Sequence, residues 1–483
     1  MMENIEESGE DKEMSPSREI NLIKLAKQGW PQTLLSLMGQ FHAPIYWLSI
    51  QIITWSSIIW PGEPLHFSEL SYAYGLMFIC GAIGRLFYGF IVDRTSRVKI
   101  FALCFIGLNL LFFCFGFIPS GKGNFSYAIF IILIVIREAF SGGGIVAASF
   151  IDDAIEESKR SQFYGVMYML SQMLGVIAII SIPLLFAVYW RAYFWIVGGF
   201  GIVIGIFIII KGKEPKRGAE KEELKSILKM DNMTYEYTLT REMLKKTVFS
   251  PTNLIMMIEG IFTQVVFAVP FMVVYAYLES SPFNLSPLSI CLCGLIFGAP
   301  GGILGAIGFS KLSDNLAKKN LKNRIFVLFT SLIIFYIGAV VMFFIPIPHL
   351  TKAQGNNLAE ILKHPGYWAI FLLSFLAATV MGVFGINQRP LLQKINLPEA
   401  QGAINSANSF LEVLGTGIGA ILSGGLLALF KGSFQLTVIV ICLIGAIGAC
   451  MWLLCLKFLD KDMERLSGIL KTRAREIEQK KNS

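Results

Sequence analysis

Six ionisable side chains stand inside long apolar runs of this chain: His42, Arg85, Arg137, Glu138, Glu259 and Glu412. A charge held at bilayer depth costs on the order of 2.5 kcal/mol or more, so it persists where it pairs, binds or carries something. Arg137 offers a planar guanidinium suited to a carboxylate, phosphate or sulfonate, and Ser141 follows one helical turn later. Neighbouring residues of a helix do not face each other, so Arg137 is expected to look into a cavity. Glu138 then looks toward another helix, with Arg85 as its partner in place of Arg137. Glu259, with Gln264 beyond it, reads either as a proton carrier or as a permanently bonded acid between two halves of the molecule. His42 can serve as a proton site or as a bonded structural imidazole. Glu412 follows Asn408 and Asn405 at helical spacing, so the three share a face and read as a lock more than as a ligand site. Candidate ligand-binding residues are thus Arg137, Ser141 and Gln264. Candidate proton-coupling residues are Glu259, Glu138 and His42.

The elements that position these groups are membrane helices. Of 483 residues, 54% are hydrophobic and 15% are charged, and the mean hydropathy is +0.62. A soluble chain of this size carries about 25% charged residues. Apolar runs of about 20 residues suffice to cross a bilayer, and backbone groups in lipid must bond within their own segment, so the runs are helical. The fold class is an all-α polytopic membrane protein with twelve expected spans: 32–58, 71–92, 100–118, 126–150, 163–187, 191–210, 251–278, 287–309, 325–345, 367–387, 403–429 and 433–456. With both termini cytosolic, 34 of the 41 Lys and Arg residues fall in cytosolic segments and only Lys122, Arg191, Lys352, Lys363 and Lys431 lie outside. That asymmetry sets the orientation.

The organisation follows. Residues 1–30 are an acidic, polar cytosolic tail without a cleavable signal, 31–210 a first six-helix bundle, 211–250 a cytosolic linker of mixed charge, 251–457 a second six-helix bundle, and 458–483 a charged cytosolic tail that lies against anionic lipid. An internal repeat makes the bundles equivalent: Gly81-x2-Gly84-x8-Asp93 recurs as Gly302-x2-Gly305-x8-Asp314. Gln172-Met-Leu-Gly175 recurs similarly as Glu412-Val-Leu-Gly415. Between the second and third spans, Gly89-Phe-Ile-Val-Asp93-Arg94-Thr-Ser-Arg97 makes a tight charged turn. Its glycine permits close helix contact, its acid pairs with bases or a helix N-terminus, and its bases hold the turn on the cytosolic side.

That turn resembles the loop between the second and third helices of the major facilitator superfamily. Arg137-x3-Ser141-Gly142-Gly143-Gly144, Trp190-Arg191-Ala-Tyr-Phe194-Trp195 and Glu214-Pro215-Lys-Arg217-Gly218 are similar to patterns of the same family. Glu259-Gly260, Phe297-Gly298-x-x-Gly301-Gly302-x-x-Gly305, Lys318-Lys319-Asn320 and Asn396-Leu-Pro398-Glu399-Ala-Gln401-Gly402 resemble Spinster-like and related prokaryotic members. Ser96 and Ser310 stand where the two loop copies usually have glycine, and the first span lacks the acid common in the Spinster group. The resemblance implies two pseudo-symmetric six-helix bundles around a cavity that opens alternately to each side. It also implies a cytosolic gate built from Gly89, Asp93, Arg94, Arg97, Asp314, Asn408 and Glu412.

The function expected is secondary active transport of a small organic solute, anionic or amphipathic, with a coupling proton. The alternatives are a lipid or lysolipid transporter of Spinster type and a non-transporting membrane sensor. No nucleophile–base set, metal-ligand spacing or phosphate loop marks an enzyme, so no catalytic residue, metal or cofactor is expected. The eight cysteines all lie in apolar runs, and Cys291-Leu-Cys293 lacks the spacing of a metal site. The net charge of +8 sits in loops beside the spans and does not suggest nucleic acid. A monomer in a multi-pass membrane setting, in contact with membrane lipids, completes the expectation.

Overall fold

The computed structural model describes residues 26–46, 52–92, 95–155, 157–214, 240, 243, 249–397 and 400–482. All regular structure among them is helical, as backbone groups surrounded by lipid require. Nine of the described helices are long and apolar enough to cross a membrane, and a shorter apolar stretch covers Pro287–Ile303.

In the expected first span the described helices are α1 (Trp30–Phe41), α2 (Ala43–Tyr46) and α3 (Ile52–Ile59), with 47–51 outside the described residues. The first break falls at His42, two residues before Pro44, which has no N–H to continue the ladder. The carbonyl of Pro44 itself accepts the Trp55 indole N–H at 3.1 Å. Next come α4 (Phe67–Val92), α5 (Arg97–Phe115), α6 (Asn124–Glu138) and α7 (Gly143–Ala154). The fourth expected span is therefore interrupted at 139–142, beside its glycine run. The fifth and sixth form one long element, α8 (Glu157–Lys211), whose backbone leaves helical geometry at Tyr189, with φ −128° and ψ 37°.

In the second half, α9 (Pro251–Val269) runs through a π-helical turn, Pro270–Val274, into α10 (Tyr275–Glu279). Helices α11 (Pro287–Cys293) and α12 (Ala299–Ile303) are joined by a π turn over Gly294–Gly298, and a second π turn covers Leu304–Gly308. They are followed by α13 (Ser310–Lys319), α14 (Lys322–Met342), the short α15 (Lys352–Gly355) and α16 (Leu358–Ile361), α17 (Pro365–Lys394), α18 (Gln401–Leu429) and α19 (Phe434–Asn482).

Gly84 and Gly305, equivalent positions of the repeat, do the same work in both halves. A Cβ at Gly84 would lie 2.7 Å from the Glu138 carbonyl oxygen, and one at Gly305 would lie 2.0 Å from that of Thr379. Each glycine presses its helix onto the backbone of a neighbour, α6 in one half and α17 in the other. Aromatic rings fill the first-half core, where Trp55, Phe112, Phe115, Phe130 and Phe194 are all fully buried. Large apolar side chains such as Phe117, Phe200, Phe207, Leu372 and Ile447 point outward, as a lipid-facing surface requires.

The C-terminal segment departs from a lipid-lying tail. Helix α19 continues without a break past 458, and Leu459, Asp462 and Leu466 are buried. Asp462 accepts the Thr252 amide at 3.1 Å and its hydroxyl at 2.6 Å, so the carboxylate caps the start of α9. Lys322 adds an ion pair to Asp460 at 2.6 Å.

Candidate functional site

The buried charges of the first half form one chain of hydrogen bonds. Arg137 is ion-paired with Glu138, and its Nη2 meets His42 Nδ1 at 3.1 Å. His42 Nε2 meets Asn109 Oδ1 at 3.2 Å, and the Asn109 amide donates to the Phe105 carbonyl at 2.8 Å. The imidazole stacks on Phe112 with ring centroids 4.2 Å apart. Arg137 is 0% exposed and Glu138 is 2% exposed.

This corrects two expectations. Arg137 and Glu138 pair with each other, because α6 ends at Glu138 and two long side chains can converge where the regular 100° rotation stops. Arg137 faces into the bundle, where His42 receives it, and lines no described cavity. The placement of Glu138 follows the expectation in part: a Cβ on Gly81 of α4 would lie 3.0 Å from Glu138 Oε2, and Arg85 stands one turn further along α4.

In the second half Glu259 is fully buried and accepts the Thr263 hydroxyl one turn on. Tyr336 of α14 and Trp452 of α19 close over this carboxyl. Among the described residues, Glu259 Oε2, the Trp452 indole nitrogen and the Tyr336 hydroxyl stand close together without a well-formed hydrogen bond. The other face of α9 carries Gly260, around which Gln388 Nε2, Asn408 Oδ1 and the Glu412 side chain gather; a Cβ on Gly260 would meet them at 3.6 to 3.8 Å. Asn408 donates to Glu412 Oε1 at 2.8 Å, and Thr416 donates to Gln264 Oε1 at 3.4 Å. Asn408 and Glu412 thus bond within α18.

The two halves meet asymmetrically. At the end away from the basic loops, the far face, α4 and α18 are in backbone contact. A Cβ on Gly417 would lie 2.8 Å from the Gly75 carbonyl, and the Ser68 hydroxyl donates to the Gly424 carbonyl at 2.8 Å. At the other end, the basic face that carries Arg97, Lys211, Lys319 and Lys322, the same helices part. A cleft of about 440 Å³ lies there, lined by Arg85 and Leu86 of α4, Ser141 and Ile145 after α6, and Ser406 and Ser409 of α18, among others. Ser141 also donates to the Gly81 carbonyl at 3.1 Å.

Of the expected gate residues, Asp93 and Arg94 lie outside the described residues. Gly89 is in α4 and Asp314 in α13. Arg97 is buried and bonds within its own half: its Nη1 donates to the Ser149 carbonyl at 2.8 Å, and its amide donates to Glu214 at 3.1 Å. Sequence reasoning missed Asn109, Gln388 and Glu279. Asn109 is a single polar residue in an apolar helix, and that signal was available; Gln388 stands between Asn387 and Arg389, one residue past the expected tenth span. Glu279 was set aside because the seventh span was ended at 278, one residue short of α10's own end. Among the described residues no group of three or more His, Cys, Asp or Glu is arranged to hold a metal ion.

Comparison with known proteins places this geometry. A family model described as Major Facilitator Superfamily matches residues 34–354, more than half of the chain. A search among curated proteins finds no sequence match. The fold matches a solved bacterial homologue of the human lysosomal transporter Spinster, in an inward-facing and unoccupied conformation, with a TM-score of 0.65 at 15% identity over 91% of this chain and 98% of that one. It matches the nucleoside transporter NupG with a TM-score of 0.60 at 12% identity over 89% and 99%. A D-xylose–proton symporter matches with a TM-score of 0.59 at 14% identity over 88% and 97%.

Proposed function

The chain belongs to the major facilitator superfamily, an integral multi-pass membrane protein and a transporter, not an enzyme, and from that premise we propose that it carries a small organic solute by alternating access. One observation carries the reading: α4 and α18 are sealed at the far face and border, at the basic face, a mostly apolar cleft that holds Arg85 and three serines. A rigid pore would not need this asymmetry; a carrier that exposes its site to one side at a time does. The excess of Lys and Arg at the basic face supports a cytosolic placement, so the state described is open to the cytosol.

The solute-binding role passes from Arg137 to Arg85. Arg137 is paired and buried, whereas Arg85 is half-buried and lines the cleft with Ser141, Ser406 and Ser409. Leu86, Ile145, Phe410 and Val413 complete the walls. A base with hydroxyls among apolar walls suits an amphipathic anion, and that lining equally supports a lysolipid headgroup as the cargo. Arg137, Glu138 and His42 serve as a bonded scaffold that holds the broken first and fourth spans. Glu259, sealed beside Tyr336 and Trp452, remains the coupling-proton candidate of the second half.

The test is thermal stability of the purified protein across a panel of organic anions, neutral solutes and lysolipids. A ligand of the folded state raises the melting point by an amount set by RT ln(1 + [L]/Kd). The reading expects an anionic or amphipathic hit that is lost in Arg85→Ala and kept in Arg137→Met. A hit that follows Arg137 and ignores Arg85 would overturn the assignment. Liposomes that fail to accumulate or exchange the hit would overturn transport.

A further inference from the structure

Glu279 ends α10 at the far face and is 6% exposed, yet both of its carboxylate oxygens are buried and have no hydrogen-bond partner among the described residues. The groups beside it carry no positive charge: Tyr275 stands one turn earlier on the same helix face, and Cys291 faces it from α11. The residue forms part of the wall of a cavity of about 420 Å³ that lies in the seam between the halves. Ile53 and Thr54 of α3 and Val188 of α8 contribute its first-half side, without a titratable group. Lys352 and Asn356 stand at its rim, and Lys352 is exposed. The rim is fixed, because the Gly355 carbonyl accepts the Ser286 amide at 3.1 Å and the Ser289 hydroxyl at 2.8 Å.

A bare carboxylate in this place penalises one state of the carrier. With α3 and α10 together, as here, the carboxyl is buried without a partner among the described residues, and burying an unpaired charge is costly. With the far ends apart, the same carboxyl meets water. The closed far face is therefore compatible with a neutralised Glu279 and opposed by a charged one. We propose that Glu279 is a proton site of the far gate, where the carboxyl takes up a proton before the far face closes. The inference rests on the alternating-access reading above. The cavity leads to the far face, so the proton enters and leaves on that side. It sets the gate and is not carried across. Closure and proton binding then favour each other reciprocally, as linkage demands.

Hydrogen exchange of the full-length protein in nanodiscs tests this, followed over 52–60 and 275–290 at acid and alkaline pH, with either sodium or choline as the salt cation. After correction for intrinsic rates, the wild type is expected to exchange faster at the far face in alkaline buffer with either salt cation. A single titrating carboxyl changes the open-to-closed ratio by up to about tenfold per pH unit. Protection restored by acid with either salt cation supports the proposal; protection restored by sodium at alkaline pH overturns it. Glu279→Gln keeps the shape without the charge and should stay protected in every buffer. The proposal is overturned if Glu279→Gln keeps the wild-type dependence on pH. It is also overturned, with transport left standing, if the far face responds to a stabilising solute and not to pH. If neither face changes under any condition, alternating access falls together with it.

Discussion

Replacing Glu138 with glutamine tests whether the buried chain Glu138–Arg137–His42–Asn109 is a scaffold. The substitution preserves shape and removes the negative charge of Glu138 that pairs with Arg137. Both side chains are at most 2% exposed, so solvent does little to screen the remaining guanidinium. Removing one partner of a buried ion pair costs about 3–5 kcal/mol. The His42 Nδ1 contact at 3.1 Å is present before and after the change and cancels. The loss expected is therefore about 3–5 kcal/mol, a large part of the roughly 5–15 kcal/mol that holds a fold together. For a unit the size of one bundle that is a fall of about 6–20 °C in melting temperature. The double variant Arg137→Met, Glu138→Gln removes both charges and should recover most of the loss. Thermal melts in detergent, arranged as a double-mutant cycle, give the coupling directly. A single variant within about 1 kcal/mol of wild type would refute the reasoning, as would a double variant whose loss is the sum of the two singles.

Three further outcomes follow from particular contacts. Gly417→Ala places a Cβ 2.8 Å from the Gly75 carbonyl oxygen. Neither backbone can yield without parting α4 from α18, so overpacking of about 1–3 kcal/mol should favour the far-open state by roughly 5- to 150-fold, read as faster exchange at 68–75. Gly305→Val sets its Cβ 2.0 Å from the Thr379 carbonyl; it should abolish monodisperse purification, whereas Gly302→Ala, with nothing within 4 Å, should not. Asp462→Asn weakens the cap on α9 by about 1–3 kcal/mol, and limited proteolysis should cut the α19 extension faster while the spans stay intact.

Much of the candidate site could be read as residue types and little of it as partnerships. The repeat of Gly81 and Gly84 in Gly302 and Gly305 foretold equivalent halves, because a helix that must touch another backbone has to give up its side chain there. Arg137, Glu138, His42 and Glu259 could be named because a charge in an apolar run is conspicuous. Their contacts were misread where local geometry broke down. The 100° rule separates Arg137 from Glu138 only while the helix lasts, and α6 stops at that pair. Arg85 was recognised as an intramembrane base, yet its place on the cleft depends on how far α4 and α18 diverge, which no residue of either helix encodes alone.

The sequence by itself determined that the chain lives in a membrane, that its backbone there is helical, and which face carries the basic loops. Those follow from transfer energies summed along each run, and such sums need no knowledge of neighbours. The tertiary structure decided which ionisable groups are spent on each other and which remain available. Pairing depends on distances of a few ångströms between helices far apart in the chain, as with His42, Asn109 and Arg137. It also decided that Glu279 is sealed rather than wet, since an acid at a helix end is buried only if the opposite half closes over it.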